Sequence, residues 1–262
     1  VESRARFRAV VAGVAAIALL AVPAQAEVVQ ENGLIVSFGG SISPRALPRS
    51  GVAPIGVTVA GRVRRADGKL PPALRRLSLE INSSGILDTR GLPTCSAAWI
   101  EPASSRDALA SCGRAQVGGG QVTGRIAFPD QRPFSFTGIV LAFNARAVGG
   151  GPAILAHVYS KVPFALAFVL TFSVDRTPGT YGTRLVAIVP PRTRRLVHIT
   201  SFRLHLGRTY EYAGRRHSYL SAGCPAPAGF PGATLPLARG SYSFVGGTTL
   251  RKAIVRTCRA RS

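Results

Sequence analysis

Alternation of large apolar residues with small or polar ones is the dominant pattern beyond residue 55, and it is the mark of strands with two unlike faces. The clearest case is 164–175, where Phe164, Leu166, Phe168, Leu170, Phe172 and Val174 share one side. Ala165, Ala167, Val169, Thr171 and Ser173 share the other. A helix would scatter those aromatics around its circumference, whereas a strand presents them together to a thick core. Similar runs predict strands at 55–63, 76–81, 121–128, 134–144, 154–159, 184–189, 198–206, 242–245 and 249–255. Turn chemistry punctuates them at Ala66-Asp67-Gly68, Gly118-Gly119-Gly120, Gly149-Gly150-Gly151 and Thr177-Pro178-Gly179. Many short strands with frequent turn signals imply an all-β fold, an antiparallel β-sandwich forming one domain over residues 27–262.

One helix interrupts this pattern. Residues 104–111 read as helical, capped by Ser104 or Ser105 and ending near Gly113. Segments 33–54 and 224–236 carry no clear period and are expected to be irregular. The second holds Pro225, Pro227 and Pro231, which no ladder strand accommodates, and Phe230 is its expected anchor to the sandwich.

Residues 1–26 read as a cleaved signal peptide. Arg4, Arg6 and Arg8 form a basic start, Ala9 to Val22 is an apolar run of 14 residues, and Ala24-Gln25-Ala26 supplies a small-x-small cleavage site. That run is short of the ~20 residues that span a bilayer. No transmembrane segment is expected after cleavage, and the destination is extracytoplasmic, secreted or held at the cell envelope. Disulfides persist there. The four cysteines accordingly predict two bridges, Cys95 with Cys112 and Cys224 with Cys258, each joining nearest neighbours in the chain. Their long spacings lack the short ligand pairs of zinc sites, and no metal or cofactor is expected.

Charge then changes the picture. Loss of the leader removes three arginines and Glu2, leaving 30 basic and 10 acidic residues, a net charge of +20. Such a chain is drawn to an anionic envelope polymer or lipid surface. Arginine supplies 30 of the 33 basic residues in the full chain, a preference that codon bias in a GC-rich genome also produces. Arg64, Arg65, Arg194, Arg195, Arg215 and Arg216 form adjacent pairs beside expected turns and are the candidate anion contacts. Arg75-Arg76 forms a similar pair. No basic helix stripe and no aromatic–glycine pattern of an RNA-reading sheet is present, so no specific nucleic acid partner is expected.

The phrases Leu70-Pro71-Pro72-Ala73-Leu74, Gly91-Leu92-Pro93-Thr94-Cys95 and Cys224-Pro225-Ala226-Pro227-Ala228-Gly229-Phe230-Pro231-Gly232-Ala233 resemble those of uncharacterised exported proteins of high-GC bacteria. The resemblance covers roughly residues 50 to 260 and implies export and a shared fold, without a chemistry.

Catalytic constellations are sparse. His198 and His205 lie seven residues apart on one expected strand and so fall on opposite faces; His157 reads as packed and His217 as solvated. Ser221 is the nearest approach to a nucleophile elbow, but it lacks the first glycine of G-x-S-x-G. The leading expectation is therefore a non-catalytic exported sandwich that associates electrostatically with anionic envelope material. One alternative is a secreted glycan hydrolase using two carboxylates drawn from Glu80, Asp88, Asp175 and Glu211. Another is an adhesion or assembly module binding through a sheet edge or an apolar patch.

Overall fold

The computed structural model describes residues 26–261. The leader expected over 1–26 therefore lies outside the described residues, but for Ala26. The chain opens with the edge strand β1 (Glu27–Glu31), followed by β2 (Leu34–Ser43), the short β3 (Ala46–Pro48) and β4 (Ala53–Pro54), and then β5 (Gly56–Arg65). β6 (Leu74–Asn82) and β7 (Gly85–Leu87) precede two helices, α1 (Ala97–Ile100) and α2 (Ser105–Cys112). Five long strands come next: β8 (Gln116–Ile126), β9 (Phe134–Arg146), β10 (Pro152–Ser160), β11 (Leu166–Arg176) and β12 (Tyr181–Ile188). Helix α3 (Pro191–Leu196) leads into β13 (Val197–Leu206) and the hairpin β14 (Thr209–Tyr212) and β15 (Arg215–Ser218). β16 (Leu220–Ala222), β17 (Gly232–Phe244) and β18 (Thr249–Arg261) complete it.

Thirteen strands form one sheet in the order β1-β2-β5-β13-β8-β9-β10-β11-β12-β6-β17-β18-β3. Every pairing in it is antiparallel except β18 with β3. The sheet curls until its ends meet: the Arg256 guanidinium on β18 donates to the Glu27 carboxylate of β1 at 2.7 Å and to the Gly40 carbonyl of β2 at 2.9 Å. The sandwich thus arises by folding one sheet over, so that β2, β5 and β13 face β6, β12 and β17. Phe38 of β2 meets Tyr242 of β17 edge to face at 5.8 Å across that core. Phe168, Leu170 and Phe172 of β11 are buried in it, as their alternation requires. Outward positions on the other layer, such as Arg62, Arg64, Gln121 and Arg203, are polar and exposed.

Part of the outer face is apolar and covered. Leu141, Phe143, Leu155 and Val169 of β9–β11 form a second cluster beneath α1 and α2. The Cys95–Cys112 disulfide ties that cover down, and the Cys95 amide adds a hydrogen bond to the Asn144 carbonyl at 2.8 Å. Ser104 caps α2 by accepting from the Asp107 amide. The second disulfide, Cys224–Cys258, joins the start of the proline-rich loop to β18, so both expected pairings are present.

Several local expectations change. Segment 33–54 contains β2, whose Leu34, Val36 and Phe38 alternate with half-buried neighbours. Pro225, Pro227 and Pro231 do lie in a loop, but β17 begins at Gly232 and takes in Pro236 beside a register shift, where the lost amide bond is tolerated. Phe230 is 60% exposed and anchors nothing. The clasp is Arg49, which donates to the carbonyls of Ala226 at 2.6 Å, Phe230 at 2.8 Å and Pro227. Gly118-Gly119-Gly120 is no turn but the middle of β8. A Cβ on Gly118 or Gly120 would collide with the carbonyls of His205 and Arg203 on β13, so glycine permits the close approach there. Among the described residues three short α-helices are present where one was expected, the second running on into a 3-10 turn at Gly113–Ala115.

Candidate functional site

The structure divides the six candidate arginines between opposite ends of the sandwich. Arg64 and Arg65 close β5, and α3, which carries Arg194 and Arg195, immediately precedes β13. β5 and β13 run antiparallel with Arg62 opposite Ser201, so these two pairs share one end. Arg215 and Arg216 open β15, beyond the far end of β13, with Arg216 facing Glu211 across the hairpin.

Following the antiparallel registers round the sheet brings six connections to the end of Arg64. They are the β1–β2, β5–β6, β8–β9, β10–β11, β12–β13 and β17–β18 links. Arg75 and Arg76 at the start of β6, Arg132, Lys161 and Arg192 join Arg64 and Arg195 there, all exposed. None of these seven makes a salt bridge among the described residues. Arg194, half-buried on α3, makes none either. Arg65 is the exception: it grips Asp67 at 2.8 Å, and that hydrogen bond holds the carboxyl at about 2. The same end exposes apolar tips. Val162 is 72% and Phe164 40% exposed beside Lys161, and Phe128 packs against Phe134 and Phe164 behind them.

At the far end Arg215 and Arg216 are exposed and make no salt bridge among the described residues, but other arginines there hold loops. Besides Arg49, Arg208 donates to the carbonyls of Arg114 at 2.8 Å and Gln116 at 2.6 Å, and Arg146 to that of Gly150 at 3.0 Å. Arg90 pairs with Asp88 at 2.8 Å. These side chains have intramolecular work, as has Arg125 at the Arg64 end, which donates to the Pro133 carbonyl at 3.0 Å. Arg64, Arg75, Arg76, Arg132, Arg192 and Arg195 present their guanidiniums to solvent. Sequence pairing identified Arg64, Arg194 and Arg195 but cannot tell a loop clasp from a free donor, because the acceptors are remote in the chain.

The four candidate carboxylates do not converge. Glu80 sits between Arg184 at 3.4 Å and Arg239 at 2.5 Å, and Asp175 lies opposite Arg184 on the next strand. A row of alternating charge thus crosses β11, β12, β6 and β17, and Arg239 also stacks over Tyr181 at 4.7 Å. The hydrogen bond from Arg239 lowers the Glu80 pKa, and that from Arg90 lowers Asp88. Both remain ionised at neutral pH, the wrong state for a general acid. Asp88 touches His217 at 3.7 Å on one face of the β14–β15 hairpin, whereas Glu211 belongs to the other by alternation.

The histidines are structural in their contacts. His157 is fully buried and its Nε2 donates to the Ala103 carbonyl at 2.9 Å, fastening the loop before α2. Burial lowers its pKa and keeps the ring neutral. His217 is not a solvated turn residue: it stacks on Tyr210 at 5.6 Å, and the Tyr210 hydroxyl donates to the Arg90 carbonyl at 2.7 Å. His198 and His205 do not alternate as expected, because a register shift between Ile199 and Ser201 inserts one residue. Val197 and Ile199 then face the core together with Phe202 and Leu204, which turns His198 outward with His205. Seven residues of strand still separate them by ~23 Å. Ser221 is held mid-strand between β4 and β7, not on a strand-to-helix elbow. Among the described residues, no group of three or more His, Cys, Asp or Glu is placed to hold a metal ion. Set against family models, curated proteins and solved structures, the chain matches none of them.

Proposed function

We propose that the protein is an exported, non-catalytic β-sandwich that associates electrostatically with anionic cell-envelope material through the end bearing Arg64, Arg194 and Arg195. The observation that carries this reading is the gathering of seven exposed, unpaired basic side chains at the end of Arg64. Arg64, Arg75, Arg76, Arg132, Lys161, Arg192 and Arg195 stand there exposed without an acidic partner, Arg65 alone pairing with Asp67. At the far end Arg49, Arg90, Arg146 and Arg208 bind the protein's own carbonyls and carboxylates, and Arg215 and Arg216 stay open. A free arginine fork is the donor that phosphate and carboxylate accept. The charged row through Glu80 and the ionised Asp88 support a binding role over glycan hydrolysis. Exposed Val162 and Phe164 beside Lys161 favour a lipid surface among anionic materials, since such a surface takes both charge and apolar tips. The two disulfides suit the oxidising compartment that the leader implies.

Charge reversal tests this. The triple change Arg64→Glu, Arg194→Glu and Arg195→Glu is expected to abolish co-sedimentation with purified envelope and with phosphatidylglycerol vesicles. Arg215→Glu with Arg216→Glu is expected to retain most of it. Equal loss in both variants would assign the binding to net charge alone and overturn the site.

A further inference from the structure

The interior of the curled sheet is incompletely filled. Val57, Val59, Leu79, Leu204 and Leu237 pack toward the core from the middle of their strands, yet they are only partly buried. Two apolar chambers account for this. One, of about 110 Å³, extends from Ile55 and Leu87 to Val59; the other, of about 80 Å³, continues under Val63, Leu74 and Phe172 toward the basic end. Val59 and Leu79 line both, so the chambers adjoin across these two side chains. The lining positions of β5 run from Ile55 to Val63, a span of ~26 Å by strand rise. Chambers of this volume hold only a short stretch of hydrocarbon as they stand, so a longer chain seats by moving the Val59 and Leu79 side chains that part them.

Polar lining groups near the first chamber are already occupied. Asn82 donates to the Pro236 carbonyl at 3.1 Å and accepts from the Ser84 amide at 2.8 Å, and Arg256 holds Glu27. Two phenols are the exceptions among the buried polar atoms of the lining. Tyr219 lines the first chamber and Tyr242 the second; both are buried, at 0% and 2% exposure, and neither hydroxyl has a partner. Tyr219 adjoins β7, its carbonyl accepting from the Asp88 amide. On β7, Ile86 both lines the chamber and is 43% exposed, which marks where the cavity comes to the surface.

We propose that this cavity binds one straight hydrocarbon chain with an oxygen-bearing head, either a fatty acid or the acyl chain of a lipid. The chain enters at Ile86, and the Tyr219 hydroxyl donates to the head oxygen. An apolar cavity stays dry and accepts an apolar guest, and a chain laid from Ile86 toward Val63 covers the half-buried aliphatic walls.

The test titrates the purified full chain with cis-parinaric acid, a fluorescent straight-chain fatty acid. Saturable one-to-one binding is expected, persisting at high salt and in the Arg194→Glu, Arg195→Glu variant, which separates this site from the electrostatic one. Val59→Phe puts a ring at the junction of the chambers and is expected to weaken binding about tenfold or more while the protein keeps a cooperative melt. Leu79→Phe, from the opposite wall, gives the same reading should the first variant fail to fold. Displacement by palmitic acid but not by phosphatidylglycerol vesicles identifies a free fatty acid as the guest; displacement by both identifies lipid acyl chains. Absence of saturable binding, binding abolished by salt, binding untouched in the folded junction variants, or displacement by neither competitor would overturn the proposal.

Discussion

The hydroxyls of Tyr219 and Tyr242 are buried from water and gain no hydrogen bond in return, and burial raises both phenols above their ordinary value of 10.0. Below that pH the folded and unfolded chains are both protonated and the stability is fully present. Above it the unfolded chain releases protons that the folded chain keeps, so stability falls as pH rises toward the folded values. The slope is about 1.4 kcal/mol per pH unit for each tyrosine. The Tyr219→Phe, Tyr242→Phe double variant is expected to lose this alkaline limb. At neutral pH it should match the wild type or exceed it by up to ~1 kcal/mol, since an unsatisfied buried hydroxyl is removed. Urea unfolding at neutral pH and at about pH 11 reads both effects. A double variant as alkali-sensitive as the wild type would show that the phenols are not buried as described.

At the scale of elements, the proline-rich loop is held by three devices: the Cys224–Cys258 bridge, the Arg49 clasp and the Cys224 amide bonded to the Pro48 carbonyl at 2.8 Å. With a sequence separation of 34, the bridge is worth roughly 4 kcal/mol in the chain-entropy model, and that between Cys95 and Cys112, at 17, roughly 3 kcal/mol. Cys224→Ala with Cys258→Ala is therefore expected to lower the unfolding free energy by about that amount. Arg49→Ala should speed amide exchange across 225–231 while leaving exchange in β11 unchanged. Protection unaltered by Arg49→Ala would mean that the bridge alone fixes the loop. The legibility of these elements in the sequence follows the same physics. β11 reads directly because residue size and position alternate together along it. β2 is hidden because Gly39, Gly40 and its serines dilute the same alternation. Glycine signals a turn at Gly149 and Gly150, where φ is positive, and a close strand approach at Gly118 and Gly120, and one sequence cannot separate the two uses. α3 hides behind Pro190 and Pro191, a dipeptide that reads as a stop although Pro191 begins the helix. One inserted residue near Thr200 reverses the faces of His198, an event that no periodicity reveals.

Over the whole molecule, charge is abundant at both ends, and at the end of Arg64 seven exposed basic side chains gather without an acidic partner. Adjacent arginines were legible as pairs, whereas the clasps formed by the lone Arg49 and Arg208 depended on carbonyls brought in by distant segments, those of Ala226 and Gln116. The same closure of a thirteen-strand sheet that aligns six connections at the basic end also leaves the interior chambers, so surface and cavity are two consequences of one topology. They predict separable behaviour: the surface responds to salt, the cavity to the volume of its lining. The central claim, that association runs through unpaired arginines around Arg64, is tested most directly by the affinity of the purified chain for anionic vesicles across a range of ionic strength. The account predicts binding that weakens steeply as salt rises, with a shallower dependence in the Arg64→Glu, Arg194→Glu, Arg195→Glu variant. Binding indifferent to salt, or a variant with the wild-type dependence, would contradict it.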